Sequence, residues 1–133
     1  MSADTQKKLL IIDDEENIVE LMQQILERKG FITFGATDGE KGVELYKKQK
    51  PDATLIDIYM PDSSLSGLGV LKTIKETDKD AACIMLTYMG GEDIVEQCKR
   101  LGADHYIRKP VEVDTLVKSI KEVLKGSKET SNG

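Results

Sequence analysis

The sequence predicts an α/β fold, a doubly wound five-stranded parallel sheet with a helix after each strand, and three observations lead there. Short apolar runs alternate with amphipathic stretches five times along the chain, the pattern of repeated strand and helix units. The runs at residues 9–12 and 53–56 are apolar almost without interruption, as strands covered by helices on both faces must be. Acidic, hydroxyl and lysine side chains stand at the ends of several runs, where open α/β sheets bind ligands.

In order, the predicted strands are residues 8–12, 31–35, 53–56, 83–87 and 105–107. Ile18, Leu21, Met22, Ile25 and Leu26 recur at three and four residues, as do Leu116, Val117, Ile120, Val123 and Leu124, so each set predicts a helix with one apolar stripe. Gly30, Gly102 and Gly126 are predicted to stop the first, fourth and last helices, because glycine enters the left-handed cap without steric cost. This divides the chain into an N-terminal extension (1–7), a single domain (8–125) and a polar tail or severed linker (126–133) expected to be flexible. There is no internal repeat and no long low-complexity block.

The 133 residues, 39% of them hydrophobic, suffice for one core. A formal net charge of −5 argues against a broad grip on nucleic acid or an acidic membrane. The apolar run at 9–12 is too short for a signal peptide or a membrane span and is followed at once by DDEE. A cytoplasmic location is therefore expected. Cys83 and Cys98 lack metal-site spacing and read as reduced packing residues. With His105 the only histidine, phosphoryl chemistry would have to rest on carboxylates. Lys47, Lys48 and Lys50 read as a solvated helix face.

A right-handed doubly wound sheet brings the strand C-termini to one edge. Asp13 and Asp14 follow the first strand, Asp57 the third, Thr87 closes the fourth and Lys109 follows the fifth. Carboxylates within roughly 5 Å repel by about 3 kcal/mol per pair at an effective dielectric near 20, so a hard divalent cation is expected among them. Oxygen-only ligands match magnesium (Mg2+), held by Asp13 or Asp14 with Asp57, and by the backbone carbonyl of Tyr59. A carboxylate can also be a phosphoryl nucleophile when charge on the transferred group is neutralised. Asp57 is the expected nucleophile, with Lys109 and the Thr87 hydroxyl contacting phosphoryl oxygens. A cis bond between Lys109 and Pro110 would turn the lysine back into the site.

The segments DDEENI, DIYMP, the threonine of LTY and the KP of IRKP resemble the signature positions of response-regulator receiver domains of bacterial two-component signalling. The likeness runs from about Lys8 to Lys125 and is specific, because all four features occur in order at strand ends. It implies a flavodoxin-like (β/α)5 sheet of order 2-1-3-4-5 and a phosphorylation-dependent switch rather than a conventional enzyme. It assigns Asp57 as phosphoacceptor, Asp13 and Asp14 as metal ligands, Lys109 as the phosphate-contacting lysine, and Thr87 and Tyr106 as the switch pair. It also implies a sensor histidine kinase or phosphotransfer protein as phosphodonor, and a downstream protein target or an output domain as listener. The receiver would catalyse its own aspartyl phosphorylation and dephosphorylation.

Two departures from the family pattern stand out. DIYMPDSSLSG carries two extra residues between Pro61 and Gly67, so the loop at Asp62, Ser63, Ser64, Leu65 and Ser66 is lengthened; it either shields the acyl phosphate, contacts a partner or is a tolerated insertion. Tyr88 stands after the switch threonine where a small residue is usual, predicting a long-lived phosphoryl group with Tyr59 and Met89 as added cover. Blander readings are that Asp14 or Asp57 merely caps the next turn, that Thr87 is an ordinary strand residue and that Tyr106 is simply core. The alternatives by function are an aspartyl-nucleophile phosphatase, whose second aspartate is replaced by Tyr59, and an unphosphorylated receiver-like scaffold.

Overall fold

The strands alternate their side chains between two apolar layers, which is why their sequences are apolar throughout. A computed structural model of the chain describes residues 6–88 and 91–132, with side chains to residue 125. Its elements run β1 (Lys8–Ile12), α1 (Glu16–Arg28), β2 (Ile32–Ala36), α2 (Gly39–Gln49), β3 (Ala53–Asp57), α3 (Gly67–Thr77), β4 (Cys83–Thr87), α4 (Glu92–Arg100), β5 (His105–Arg108) and α5 (Val113–Asn132). The sheet is parallel with order β2-β1-β3-β4-β5, the order that the resemblance implies. Leu10, Ile12, Ile56 and Met85 face a layer with Val43, Val70 and Ile74, whereas Leu9, Ile11, Leu55 and Ile84 face Val19, Leu26, Leu116 and Ile120. β3 and β4 are buried along their whole length, while the edge strands β2 and β5 are less so.

Gly30 and Gly102 end their helices as expected, with φ of 98° and 96°. In each case the next amide reaches back to close the turn, Phe31 to Leu26 O at 3.1 Å and Ala103 to Cys98 O at 2.9 Å. This also explains why β2 begins at Ile32 rather than at Phe31: the Phe31 amide is spent on the helix cap, and the Ile32 amide is the one that bonds Lys7 O, at 2.9 Å.

β2 also ends at Ala36 and β5 at Arg108, each one residue beyond the predicted end, and four further local expectations need correction. Gly126 does not end α5, which continues to Asn132; one interior glycine costs only about 1 kcal/mol relative to alanine, and no proline follows to break the helix. On α1 the buried residues are Val19 and Leu26, while Leu21 is 52% exposed. The apolar stripe there is wider than the surface it packs on, and Ile18, Leu21, Met22 and Ile25 line a groove with Val111 and Val113. Lys50 is exposed but lies beyond the helix face, closing α2 in a left-handed conformation with φ of 49°. Asp57 belongs to β3, one residue beyond the predicted end, because its backbone pairs with Leu86. Met89 and residues 1–5 lie outside the described residues. Cys83 and Cys98 are buried free thiols, and among the described residues no helix is long and apolar enough to cross a membrane.

Candidate functional site

Register decides which strand-end residues meet. Ile12 pairs with Ile56, so Asp13, one residue on, comes beside Asp57 across the β1–β3 boundary. Thr87 ends β4 opposite Arg108, and the Lys109 amide donates to Thr87 O at 2.8 Å, carrying the lysine back over the sheet edge. The Lys109–Pro110 peptide bond is cis. Asp13, Asp57 and Thr87 are almost completely buried, at 1%, 6% and 1% exposure.

The Lys109 ammonium donates to Asp13 Oδ2 at 2.8 Å and lies 3.4 Å from Asp57 Oδ1. Asp13 Oδ1 also accepts the Glu15 amide at 3.0 Å, so both of its oxygens are engaged. Asp14 is half-buried and does not cap α1: the N-cap is Glu15, and Asp14 Oδ2 instead accepts the Asp62 amide at 3.1 Å. Carboxylate oxygens of Asp13, Asp14 and Asp57 lie within 4.8 Å of one another. Asp57 therefore faces Lys109 and two acids, which the bland capping account does not explain.

Burial, then the charge of Asp13, raises the Asp57 carboxyl to about 6, against the opposing pull of Lys109. Burial alone would depress Lys109, but its hydrogen bond and attraction to Asp13 and then to Asp57 outweigh that and leave it above its ordinary value. The lysine thus stays cationic at neutral pH. Three carboxylates against one ammonium leave about two negative charges, and the donors are hard oxygens, so the residues present fit a divalent cation such as magnesium.

A cleft of about 420 Å³ opens above this cluster, with Asp57, Thr87 and Lys109 at its base and Tyr59, Asp62 and Tyr88 at its rim. Tyr59 and Tyr88 are 65% and 61% exposed, and the Tyr88 ring centre lies 5.2 Å from the Lys109 ammonium. Tyr106 sits on β5, half-buried against the layer that contains Met85. Glu15 also lines the cleft, a residue that sequence patterning passed over because it reads as part of the helix start.

The response regulator receiver domain model matches residues 9–121. The chain is 30% identical over 118 residues to sporulation initiation phosphotransferase F of Bacillus subtilis, covering 89% of this chain and 94% of that protein. It is 36% identical over 118 residues to chemotaxis protein CheY of Halobacterium salinarum, covering 89% and 97%. A response regulator receiver domain protein (CheY-like) from Methanospirillum hungatei superposes with a TM-score of 0.88 at 29% identity, covering 94% of this chain and 98% of that one. With the sheet order, the acidic cluster and these similarities in agreement, the chain belongs to the response regulator receiver domain family and is a phosphorylation-dependent signalling switch.

Proposed function

We propose that Asp57 is the phosphoacceptor of this switch and that Asp13, Asp14, Asp57 and the backbone carbonyl of Tyr59 hold a magnesium ion beside it. The observation that carries the reading is one buried ammonium set against two buried carboxylates, with a third acid at the cleft that reaches them. A carboxylate oxygen of Asp57 attacks the phosphorus of a phosphohistidine; the O–P bond forms as the P–N bond breaks, and the imidazole leaves with the electron pair and takes a proton from solvent. Lys109 neutralises one phosphoryl oxygen and the Thr87 hydroxyl donates to another. The bound cation supplies further charge neutralisation of the transferred group. Hydrolysis, in which water attacks phosphorus and releases phosphate, restores the carboxylate.

The donor in this reading is a sensor histidine kinase or phosphotransfer protein, and the output is altered binding of a downstream protein or output domain. Phosphorylation favours an arrangement in which Thr87 moves toward the phosphoryl group and Tyr106 follows, a shift of population set by the difference in contacts between two states. The switch domain in this reading spans residues 8–125. Acetyl phosphate with magnesium, read by intact mass spectrometry, tests the assignment. A phosphoryl adduct lost in Asp57→Asn supports it; steady phosphate release over many turnovers supports the phosphatase instead, and an adduct retained in Asp57→Asn overturns Asp57 as acceptor.

A further inference from the structure

The lengthened loop between β3 and α3 is tied down at both ends and in the middle. The Gly67 amide donates to Ile58 O at 3.2 Å, bringing the loop's ends together. Midway, Asp38, the N-cap of α2, accepts the Ser64 amide on Oδ1 at 2.7 Å, and the Ser64 hydroxyl, also at 2.7 Å, on Oδ2. The Gly39 amide donates to Ser63 Oγ at 2.6 Å, and that hydroxyl donates to Leu65 O at 2.7 Å. On its other side the loop sends the Asp62 amide to Asp14 Oδ2 at 3.1 Å. An insertion that were merely tolerated would not need a carboxylate 26 residues away to accept twice from one serine.

We propose that the Asp38–Ser64 tie is a positioning device for Asp14: it holds the Asp62 amide against Asp14 Oδ2, so that the acid's other oxygen is presented to the Asp13–Asp57 pair. Asp38 is a positioning residue, acting through Ser64 and Asp62. The two extra loop residues then serve the metal site. Asp14 is half-buried and stands one residue before the N-cap position of α1, which Glu15 occupies, so the loop amide is what restrains it. The hydrogen bonds from Ser64 also hold the Asp38 carboxyl below its ordinary range, as expected of an acid that accepts twice from one residue. Partners one step removed from a metal ligand commonly set affinity by 10- to 100-fold, and the longer lever here places Asp38 near the lower figure. This inference rests on the proposed role of Asp14 in cation binding.

The test is titration of the unphosphorylated full chain with magnesium chloride, followed by tyrosine fluorescence, for wild type, Asp38→Ala, Ser64→Ala, Ser64→Thr and Ser66→Ala. Asp38→Ala should weaken magnesium binding by about 10-fold, Ser64→Ala by less, and Ser64→Thr, which keeps the hydroxyl, should restore the wild-type constant. Ser66→Ala removes the N-cap of α3, where Ser66 Oγ accepts the Gly69 amide at 3.1 Å, and so lowers stability without touching the tie; its magnesium constant should not change. Equal weakening in Ser66→Ala would overturn the positioning role in favour of general loop loosening, as would an unchanged constant in Asp38→Ala. A wild-type chain with no saturable magnesium binding overturns the metal reading itself, and this inference with it.

Discussion

Replacing Asp57 with asparagine should stabilise the metal-free protein, with a pH dependence that identifies the cause. Folding buries this carboxyl beside Asp13 and lifts it from 3.8 to about 6. At about 1.4 kcal/mol per pH unit, holding Asp57 ionised in the fold costs about 3 kcal/mol. Below pH 3.8 both folded and unfolded chains are protonated and the cost is absent. Between 3.8 and about 6 the unfolded chain ionises first and stability falls, and above about 6 the full cost remains. Asp57→Asn removes it, so the mutant's advantage over wild type should grow with pH to about 3 kcal/mol and then level off. Urea unfolding followed by circular dichroism in a chelator, from about pH 4 to about pH 8, measures this directly. Magnesium should then narrow the gap by stabilising the wild type through mass action. A gap that is flat across pH, or one that shrinks as pH rises, would refute the electrostatic argument.

Three further outcomes follow from packing and geometry. Thr54 is fully buried and its hydroxyl has no hydrogen-bond partner among the described residues, so Thr54→Val should raise stability by about 1 kcal/mol in chemical denaturation. A Cβ at Gly67 would collide with Asp57 O and come 2.6 Å from Ile58 Cα. Because those are backbone atoms, Gly67→Ala should cost about 2 kcal/mol or more, and a neutral substitution would show that the loop can shift freely. Tyr88→Ala opens the rim of the cleft and removes a ring contact to Lys109 of about 1 kcal/mol. Autodephosphorylation should therefore speed up several-fold, and an unchanged rate in a phosphate-release assay would dismiss the shielding role of this tyrosine.

The local signals in the chain carried the elements well. Apolar runs at β1 and β3 announced strands covered on both faces, and Gly30 and Gly102 announced helix ends that their positive φ angles satisfy. Some expectations failed where a neighbour in space decided the outcome. Leu21 fits a helical period but extends past the packing surface of α1; the start of β2 failed for a local reason, because the Phe31 amide closes the α1 cap on Leu26 and does not join the sheet. Gly126 shows the converse: a local stop signal too weak to end a helix without a second one.

By itself the sequence determined the alternation of strand and helix and the residue types at each strand end, because both are properties of short windows governed by side-chain period and backbone preference. It also carried the order of the acidic pair, Asp57, Thr87 and Lys109 along the chain. Only the tertiary structure decided that Lys109 bonds Asp13, 96 residues away, that Asp62 holds Asp14, and that Asp38 anchors the loop through Ser64. It likewise decided that Asp57 is buried enough to hold its proton to about pH 6. Those facts depend on distance and desolvation, which exist only once the sheet order has brought distant strand ends to the same edge.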